Sequence, residues 1–135
     1  YKVAKDKAHR AICGLSMGGG HSFDISRRFP TKFDYIGLFS AGLHVGTTGD
    51  FRSDFYKQLQ GNEEAKKQLA TLFKNKPKLY WIGMGKTDFL YKSSADLRRY
   101  FDEKGYKYTY LETEGGHIWR NWRVYLTEFA QKIFK

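Results

Sequence analysis

The chain has 135 residues, which is enough for one domain with a single hydrophobic core. Hydrophobic residues make up 41% of it and aromatic residues 18%, a composition that excludes a disordered chain. The formal net charge is +10, but the 24 Lys and Arg residues are scattered in ones and twos. This pattern favours a solvated basic surface over a nucleic-acid site.

No apolar run approaches the roughly 18 residues of a membrane helix. The first ten residues lack the apolar stretch of a signal peptide. The lone cysteine, Cys13, lies in an apolar run and is expected to be a buried thiol.

Apolar runs alternate with amphipathic segments along the chain, which is typical of a parallel sheet covered by helices. The predicted strands are residues 10–14, 34–39, 79–84 and 108–112. A helix is predicted after the first strand, and Pro30 ends it. Residues 42–61 contain glycines and threonines without a clear period, so we expect a long loop with a helical turn around Phe55.

Three more helices are predicted in the second half. Asn62 caps the first of them, whose apolar stripe consists of Ala65, Leu69, Leu72 and Phe73. Ser93 and Asp96 resemble a capping box at the start of the next helix, and Gly105 ends it. The last helix spans about residues 119–134. It is expected to bury Trp122, Leu126, Phe129 and Ile133.

The strongest motif is Gly14-Leu15-Ser16-Met17-Gly18, which fits the G-x-S-x-G nucleophile elbow between a strand and a helix. In such an elbow, glycines on either side let neighbouring backbone pass a serine with strained backbone angles. The backbone N–H of Met17 is then a natural donor to an oxyanion at the helix N-terminus. The alternative is a glycine-rich packing turn. A phosphate-binding P-loop is disfavoured for Gly85-Lys86-Thr87. That motif needs another glycine five residues before Gly85, and Tyr80 occupies this position.

A serine nucleophile needs a base, and the chain has four histidines. His117 directly follows the fourth strand, so it meets Ser16 at the carboxyl ends of the parallel strands. His9 precedes the first strand, and His21 lies inside the helix after the elbow. His44 lies in the long loop and is a candidate substrate contact. The alternative for His117 is a structural histidine that caps the last helix.

The acid that orients the histidine is expected at the same edge of the sheet. Asp88 follows the third strand, and it gives the chain order Ser, Asp, His of α/β-hydrolases. The other candidates are Glu112, Glu114, Asp50 and Asp54. No metal or cofactor is implied, since the lone cysteine and the scattered histidines form no ligand cluster.

Aromatic residues near these positions are candidates for substrate binding. Trp119 and Phe89, together with Trp122 and Tyr91, have the flat faces that stack on a sugar or a phenolic acid. For Trp122 the favoured interpretation is that it packs the last helix against the sheet.

These motifs resemble the esterase D-like α/β-hydrolases, and within them the carbohydrate esterases that include feruloyl and acetylxylan esterases. The resemblance rests on residues 14–20, Tyr35-Ile36-Gly37 with Ser40-Ala41, Gly85-x-x-Asp88, and Gly115-Gly116-His117-x-Trp119-x-x-Trp122. It implies an α/β fold with Ser16, Asp88 and His117 as the catalytic triad. It also implies a secreted or periplasmic enzyme that acts on ester-decorated plant xylan.

The chain departs from that family in one respect. A complete α/β-hydrolase sheet is larger, and the four predicted strands match its last ones. Residues 1–135 are therefore expected to form the C-terminal portion of one catalytic domain, without the loop that gives the second oxyanion N–H. Without that loop, we expect weak activity from the chain alone. The elbow strand would also lie at an exposed edge of the sheet, which predicts association with another copy of the chain.

The sequence thus predicts a serine esterase that hydrolyses carboxylic esters through an acyl-enzyme, with feruloyl or acetyl groups on xylan as substrates. Two alternatives stay open. One is a related hydrolase of small esters or thioesters. The other is a non-catalytic module on a hydrolase scaffold that binds a polyanion or a carbohydrate, although neither a nucleic-acid nor a membrane partner is favoured.

Overall fold

The computed structural model describes residues 6–45 and 54–134. Four strands form one parallel sheet in the order β1-β2-β3-β4: Ala11–Leu15, Tyr35–Phe39, Leu79–Gly85 and Thr109–Thr113. The α-helices are Met17–Arg28 (α1), Phe55–Gln60 (α2), Glu63–Lys74 (α3), Tyr91–Lys104 (α4) and Trp119–Ala130 (α5), and a single 3₁₀ turn spans Lys7–His9 before the first strand. The predicted α/β class and the four parallel strands are therefore confirmed.

Helices cover both faces of the sheet, and its two central strands, β2 and β3, are almost entirely buried, as expected for parallel strands. On one face the helices α1 to α4 cover a core that includes Phe23, Ile36, Tyr80 and Phe101. On the other face α5 packs Tyr125 and Phe129 against Tyr35, Phe39 and Trp81. Every residue of β2 is buried, because this strand has neighbours on both sides and helices on both faces.

The register brings the carboxyl ends of the strands to one edge of the sheet. Leu15 lies opposite Phe39, Phe39 opposite Gly83, and Gly83 opposite Leu111. The segments that leave β1, β3 and β4 therefore start next to one another. These segments carry Ser16, Asp88 and His117.

The predicted helical turn around Phe55, near the end of the predicted loop, is confirmed as the short helix α2. Asp54 caps this helix by accepting a hydrogen bond from the Lys57 N–H at 3.2 Å. Phe55 and Leu59 are fully buried and give the short helix its packing. The predicted loop residues 46–53, Asp50 included, lie outside the described residues.

The predicted start of α4 was wrong. The helix begins at Tyr91 with Leu90 as its N-cap residue. Ser93 is buried within the first turn, where its hydroxyl donates to the Leu90 carbonyl at 2.9 Å instead of capping the helix. The preceding Asp88 turn fixes this earlier start, because the Leu90 N–H donates to the Asp88 carboxylate.

The predicted buried stripe of the last helix was wrong in part. Phe129 is buried, but Leu126 is 54% exposed, and Cys13 on β1 is exposed as well. Both residues border a groove beside β1, which among the described residues pairs with β2 alone. The apolar pattern is therefore present, but no described element covers the free edge of the sheet beside β1. None of the described helices is long and apolar enough to cross a membrane.

Candidate active site

Ser16 lies on the sharp turn between β1 and α1. Its backbone angles are φ 54° and ψ −116°, a region that residues with a side chain rarely adopt. The turn is held by hydrogen bonds, since the Ser16 N–H donates to Phe39 O at 2.8 Å. The Ser16 carbonyl accepts from the N–H groups of Gly20 and Gly42 at 3.2 and 3.1 Å. The strained serine is therefore fixed by β2 and the segment that follows it.

One of the two motif glycines is needed for close packing. A Cβ atom on Gly14 would lie 2.3 Å from the Gly18 carbonyl oxygen, so only glycine fits there. A Cβ on Gly18 would meet none of the described atoms within 4 Å. The expectation that both glycines avoid a clash therefore holds for Gly14 and is wrong for Gly18 in the described part of the chain.

His117 follows β4 on a tight turn that is tied to its neighbours. Gly115 has φ +85°, the left-handed region that favours glycine. The Thr87 N–H donates to the Gly115 carbonyl at 3.1 Å. The buried Asn121 side chain on α5 donates to the Gly116 carbonyl at 2.9 Å. The His117 turn is therefore fastened both to the turn before Asp88 and to the first turn of α5.

The structure brings Ser16, His117 and Asp88 together in one hydrogen-bonded chain. His117 Nε2 lies 2.8 Å from Ser16 Oγ, and His117 Nδ1 lies 2.8 Å from Asp88 Oδ2. The Asp88 side chain is fully buried, and its other oxygen accepts the Leu90 N–H at 2.9 Å. In this arrangement Nδ1 donates to the carboxylate, and Nε2 is free to accept the hydroxyl proton of the serine.

The other described candidate acids have different partners. Glu112 accepts hydrogen bonds from two tyrosine hydroxyls, Glu114 forms an exposed ion pair with Lys86, and Asp54 caps α2. Neither His9 nor His21 has a described hydrogen bond to Ser16 or Asp88. His9 bonds the exposed Asp6 before β1, and His21 is exposed on α1. Within residues 6–45 and 54–134, Asp88 is thus the acid that is bonded to His117.

Two aromatic rings contact the imidazole of His117. The Phe89 ring lies 5.0 Å from it, and the Trp122 ring lies 5.1 Å from it in an edge-to-face arrangement. Trp122 in turn contacts Trp119, whose side chain is 68% exposed. Trp122 therefore both packs α5 and contacts the histidine.

A cavity of about 340 Å³ opens beside the serine and is lined mainly by apolar surface. Of the predicted substrate contacts, His44 and Phe89 line it together with Ser16 and Met17. Trp119 lies outside it and lines the groove beside β1. Because Met17 is the first residue of α1, its backbone N–H has no acceptor within the helix. In the described part of the chain, no three His, Cys, Asp or Glu side chains are grouped so that they could hold a metal ion.

Sequence reasoning missed Asn121 and the partners of Glu112. Asn121, Tyr125 and Phe129 are the buried residues of α5, at a spacing of four. A polar residue at the first position of such a stripe is the signal that would have singled out Asn121. The link between Glu112 and Tyr91 joins two elements distant in sequence, and no sequence pattern indicates it.

Glu112 on β4 lies outside the hydrogen-bonded chain of Ser16, His117 and Asp88 and has two tyrosine partners of its own. Glu112 on β4 accepts hydrogen bonds from the hydroxyls of Tyr91 at 2.6 Å and Tyr110 at 2.9 Å, and these bonds lower its pKa below the ordinary value of 4.5. Its contribution to stability is therefore complete above pH 4.5 and is lost as the pH falls through the lowered pKa. We expect Glu112→Gln to reduce the pH dependence of the free energy of unfolding in this acid range. Urea unfolding at a series of pH values measures this.

The matched control is Glu114→Gln, which removes the same charge two residues later from an exposed ion pair. It should leave the acid dependence close to that of the parent chain. An equal effect of both substitutions would show that net charge, and not the tyrosine hydrogen bonds, causes the change.

Residues 1–133 match the model of the Esterase family, which is described as "Putative esterase". The chain belongs to the Esterase family. This confirms the resemblance predicted from the elbow and the Gly-Gly-His segment.

Two curated relatives illustrate the relationship of this Esterase family chain to longer proteins. An acetyl esterase from Caldicellulosiruptor saccharolyticus is 27% identical over 155 aligned positions, which cover all of this chain and 58% of the relative. An endo-1,4-beta-xylanase/feruloyl esterase from Xylanibacter ruminicola is 31% identical over 134 positions, which cover 96% of this chain and 15% of the relative. The chain therefore spans only part of either relative.

A solved structure shows the shared fold. The S-formylglutathione hydrolase of Staphylococcus aureus superposes with a TM-score of 0.78 at 19% identity, covering all of this chain and 58% of that protein. The four-stranded sheet of this Esterase family chain is thus found within a larger solved structure.

Proposed function

We propose that the chain carries the catalytic triad of a serine hydrolase that cleaves carboxylic esters. The observation that carries the proposal is the continuous hydrogen-bonded line from the buried Asp88 carboxylate through His117 to Ser16. Membership of the Esterase family supports the same reaction.

In the proposed reaction, Ser16 Oγ attacks the ester carbonyl while His117 Nε2 takes its proton. Asp88 holds Nδ1–H and stabilises the imidazolium that forms. The proton then passes to the leaving alcohol, and an acyl-enzyme ester remains on Ser16. Water attacks this ester as His117 acts as base again, and the acid product leaves with Ser16 restored.

The Met17 backbone N–H is the proposed oxyanion donor within the chain. It stands at the N-terminus of α1, directly after the serine, and has no acceptor in the helix. The helix dipole favours negative charge at this end. A single donor of this kind contributes roughly a hundredfold to a thousandfold in rate.

The proposed substrates are feruloyl or acetyl esters of plant xylan. The names of the two curated relatives, an acetyl esterase and a feruloyl esterase joined to a xylanase, support these acyl groups. Xylan is an extracellular polymer, so a secreted or periplasmic location belongs to the same proposal. Trp119, 68% exposed beside the site, is the proposed surface for stacking on a sugar ring.

The test is hydrolysis of a panel of esters by the parent chain and by the Ser16→Ala variant. Methyl ferulate, a feruloylated xylo-oligosaccharide and acetylated xylan should release acid with the parent chain only. Turnover that persists in the Ser16→Ala variant would sink the proposal. Turnover of small thioesters alone would reject the xylan esters as substrates, but it would leave the proposed triad in place.

We also propose that residues 1–135 form the C-terminal portion of a larger hydrolase domain whose further strands cover β1. Three exposed apolar side chains support this proposal: Leu15, Trp119 and Leu126. They line an apolar groove of about 210 Å³ beside β1, which further strands would cover. The further strands would supply the second oxyanion donor. They would also remove an apolar edge that invites pairing with other chains.

For the chain by itself, the expected occupant of this edge is a second copy. We expect concentration-dependent self-association, which Leu126→Lys weakens about tenfold, because a charge then enters an apolar contact (about 1.4 kcal/mol). Sedimentation velocity over a concentration series measures this. The matched control is Val124→Lys on the same helix, a residue 40% exposed that does not line the groove. Equal weakening by both substitutions would argue for a general charge effect.

A further inference from the structure

A cavity of about 620 Å³ lies at the end of the sheet opposite to the triad. Of its lining residues, Pro77 precedes β3 by two positions and Lys107 precedes β4 by two positions. These are the amino ends of the strands, whereas the triad residues follow the carboxyl ends. Strand β3 alone is about 20 Å long, so the cavity is separate from the site of ester hydrolysis. We call it the lysine cavity.

Three lysines give this cavity its charge: Lys74, Lys76 and Lys107. All three are exposed, and none of them forms an ion pair with a described carboxylate. Asp34, which precedes β2 at the same end of the sheet, is already paired with Lys7 at 2.6 Å. The three ammonium groups are therefore available to a ligand.

Two helix C-termini border the lysine cavity. Helix α3 ends at Lys74 and α4 ends at Lys104, and both Lys74 and Gly105 line the cavity. Each helix end carries about half a negative elementary charge, so the two together offset about one of the three lysine charges. Asp102 and Glu103 lie in the last turn of α4 but do not line the cavity. An excess of positive charge remains, and it favours an anion.

The same helix ends supply hydrogen-bond acceptors. The last turn of a helix leaves backbone carbonyl oxygens without a partner inside the helix. The carbonyls of Lys74 and Lys104 accept no backbone hydrogen bond from a described residue beyond their helices. Hydroxyl groups of a ligand can donate to such carbonyls. Phosphate groups, by contrast, bind at the opposite, N-terminal ends of helices.

An aromatic wall completes the lysine cavity. The rings of Phe73 and Tyr106 both line it, and they stack with centroids 4.3 Å apart and planes 5° apart. The buried Phe101 ring contacts both of them, at 4.9 and 5.8 Å, which fixes their position. A wall of this kind packs against the apolar face of a sugar ring.

We propose that the lysine cavity binds a sugar acid, that is, a sugar ring that carries a carboxylate. The lysines bind the carboxylate, the carbonyls at the helix ends accept from the sugar hydroxyls, and the aromatic wall packs against the ring. A neutral sugar leaves the lysine charges unused, and inorganic phosphate leaves the aromatic wall unused. The volume is in the range of small-molecule sites. The proposal does not depend on ester hydrolysis at Ser16.

Lys76 has the most unusual backbone of the three lysines. Its φ is 49°, in the left-handed region, and it follows Asn75, the C-cap of α3. Glycine is the common residue at this position after a helix, so a lysine there costs backbone strain. Replacing Lys76 by Gly therefore removes the charge and relieves the strain at the same time.

The first experiment titrates the parent chain with methyl glucuronide, methyl glucoside and inorganic phosphate. The backbone amide NMR signals of Gly105, Tyr106 and Lys107 are followed. The glucuronide should shift them and bind at least about 10-fold more tightly than the glucoside, the size of one hydrogen bond to a charged group. It should also bind more tightly than phosphate. Equal affinity for the glucuronide and either of the other two probes overturns the proposal, and so does a lack of shifts at these residues.

The second experiment measures glucuronide affinity and the midpoint of thermal unfolding in variants. Lys76→Gln and Lys76→Gly should each weaken binding about 10-fold. Lys76→Gly should not lower the unfolding midpoint, so its weaker binding is not a loss of folding. The matched control is Lys78→Gln, which removes an exposed lysine two residues later that does not line the cavity and should keep the affinity. Unchanged affinity in Lys76→Gly, or an equal loss in Lys78→Gln, overturns the proposal.

Discussion

Replacing His117 by Ala is expected to lower kcat/KM for ester hydrolysis by about a million-fold relative to the parent chain, or to background. The imidazole is the only described group within hydrogen-bond distance of Ser16 Oγ that can take its proton. Without it the hydroxyl stays protonated, and the attack on the ester loses its base. Steady-state hydrolysis of methyl ferulate measures the effect.

The control is His9→Ala, which removes a histidine that bonds the exposed Asp6 away from the site. Circular dichroism should show the same helix content in both variants and in the parent chain. Retention of more than a hundredth of the parent rate by His117→Ala would exclude His117 as the base.

Asp88→Asn is expected to lower kcat by about ten-thousand-fold with little change in KM. The Asp88 carboxylate is fully buried, and its two oxygens accept from His117 Nδ1 and from the Leu90 N–H. An amide in its place favours the tautomer that puts the proton on Nε2, where His117 can no longer accept from Ser16. The loss therefore falls on the chemical step and not on substrate binding.

The control for this substitution is Asp102→Asn, which makes the same chemical change at an exposed partner of Tyr108 on α4. It should leave kcat unchanged. If Asp88→Asn raised KM while kcat stayed at the parent value, Asp88 would be a binding residue and another acid would have to orient His117.

The positions of the three triad candidates followed from two general rules. Apolar runs located the strands, and the carboxyl ends of parallel strands meet at one edge of a sheet. Ser16, Asp88 and His117 each directly follow a different strand, so their meeting could be predicted without any distance. The hydrogen-bonded geometry of 2.8 Å at both ends of His117 agrees with that expectation.

Other features depend on neighbours that no local pattern contains. The short helix α2 is held by the burial of Phe55 and Leu59 in the tertiary core, although its segment has no clear period. Leu126 has the spacing of a buried residue but faces the side of β1 that no described element covers. Asn121 acts through a carbonyl five residues away. Periodicity predicts which face of a helix is apolar, but it does not predict what lies against that face.

Intact-mass labelling with a fluorophosphonate tests the central claim most directly, because the reagent captures only a serine that has been activated as a nucleophile. The account predicts one adduct on the parent chain, located at Ser16, and none on the Ser16→Ala variant. The same pair is also labelled in a longer version that carries the further strands proposed above to cover β1 and to supply the second oxyanion donor. An adduct at another residue, or none at Ser16 in the longer version, would contradict the assignment of Ser16, His117 and Asp88 as a working triad.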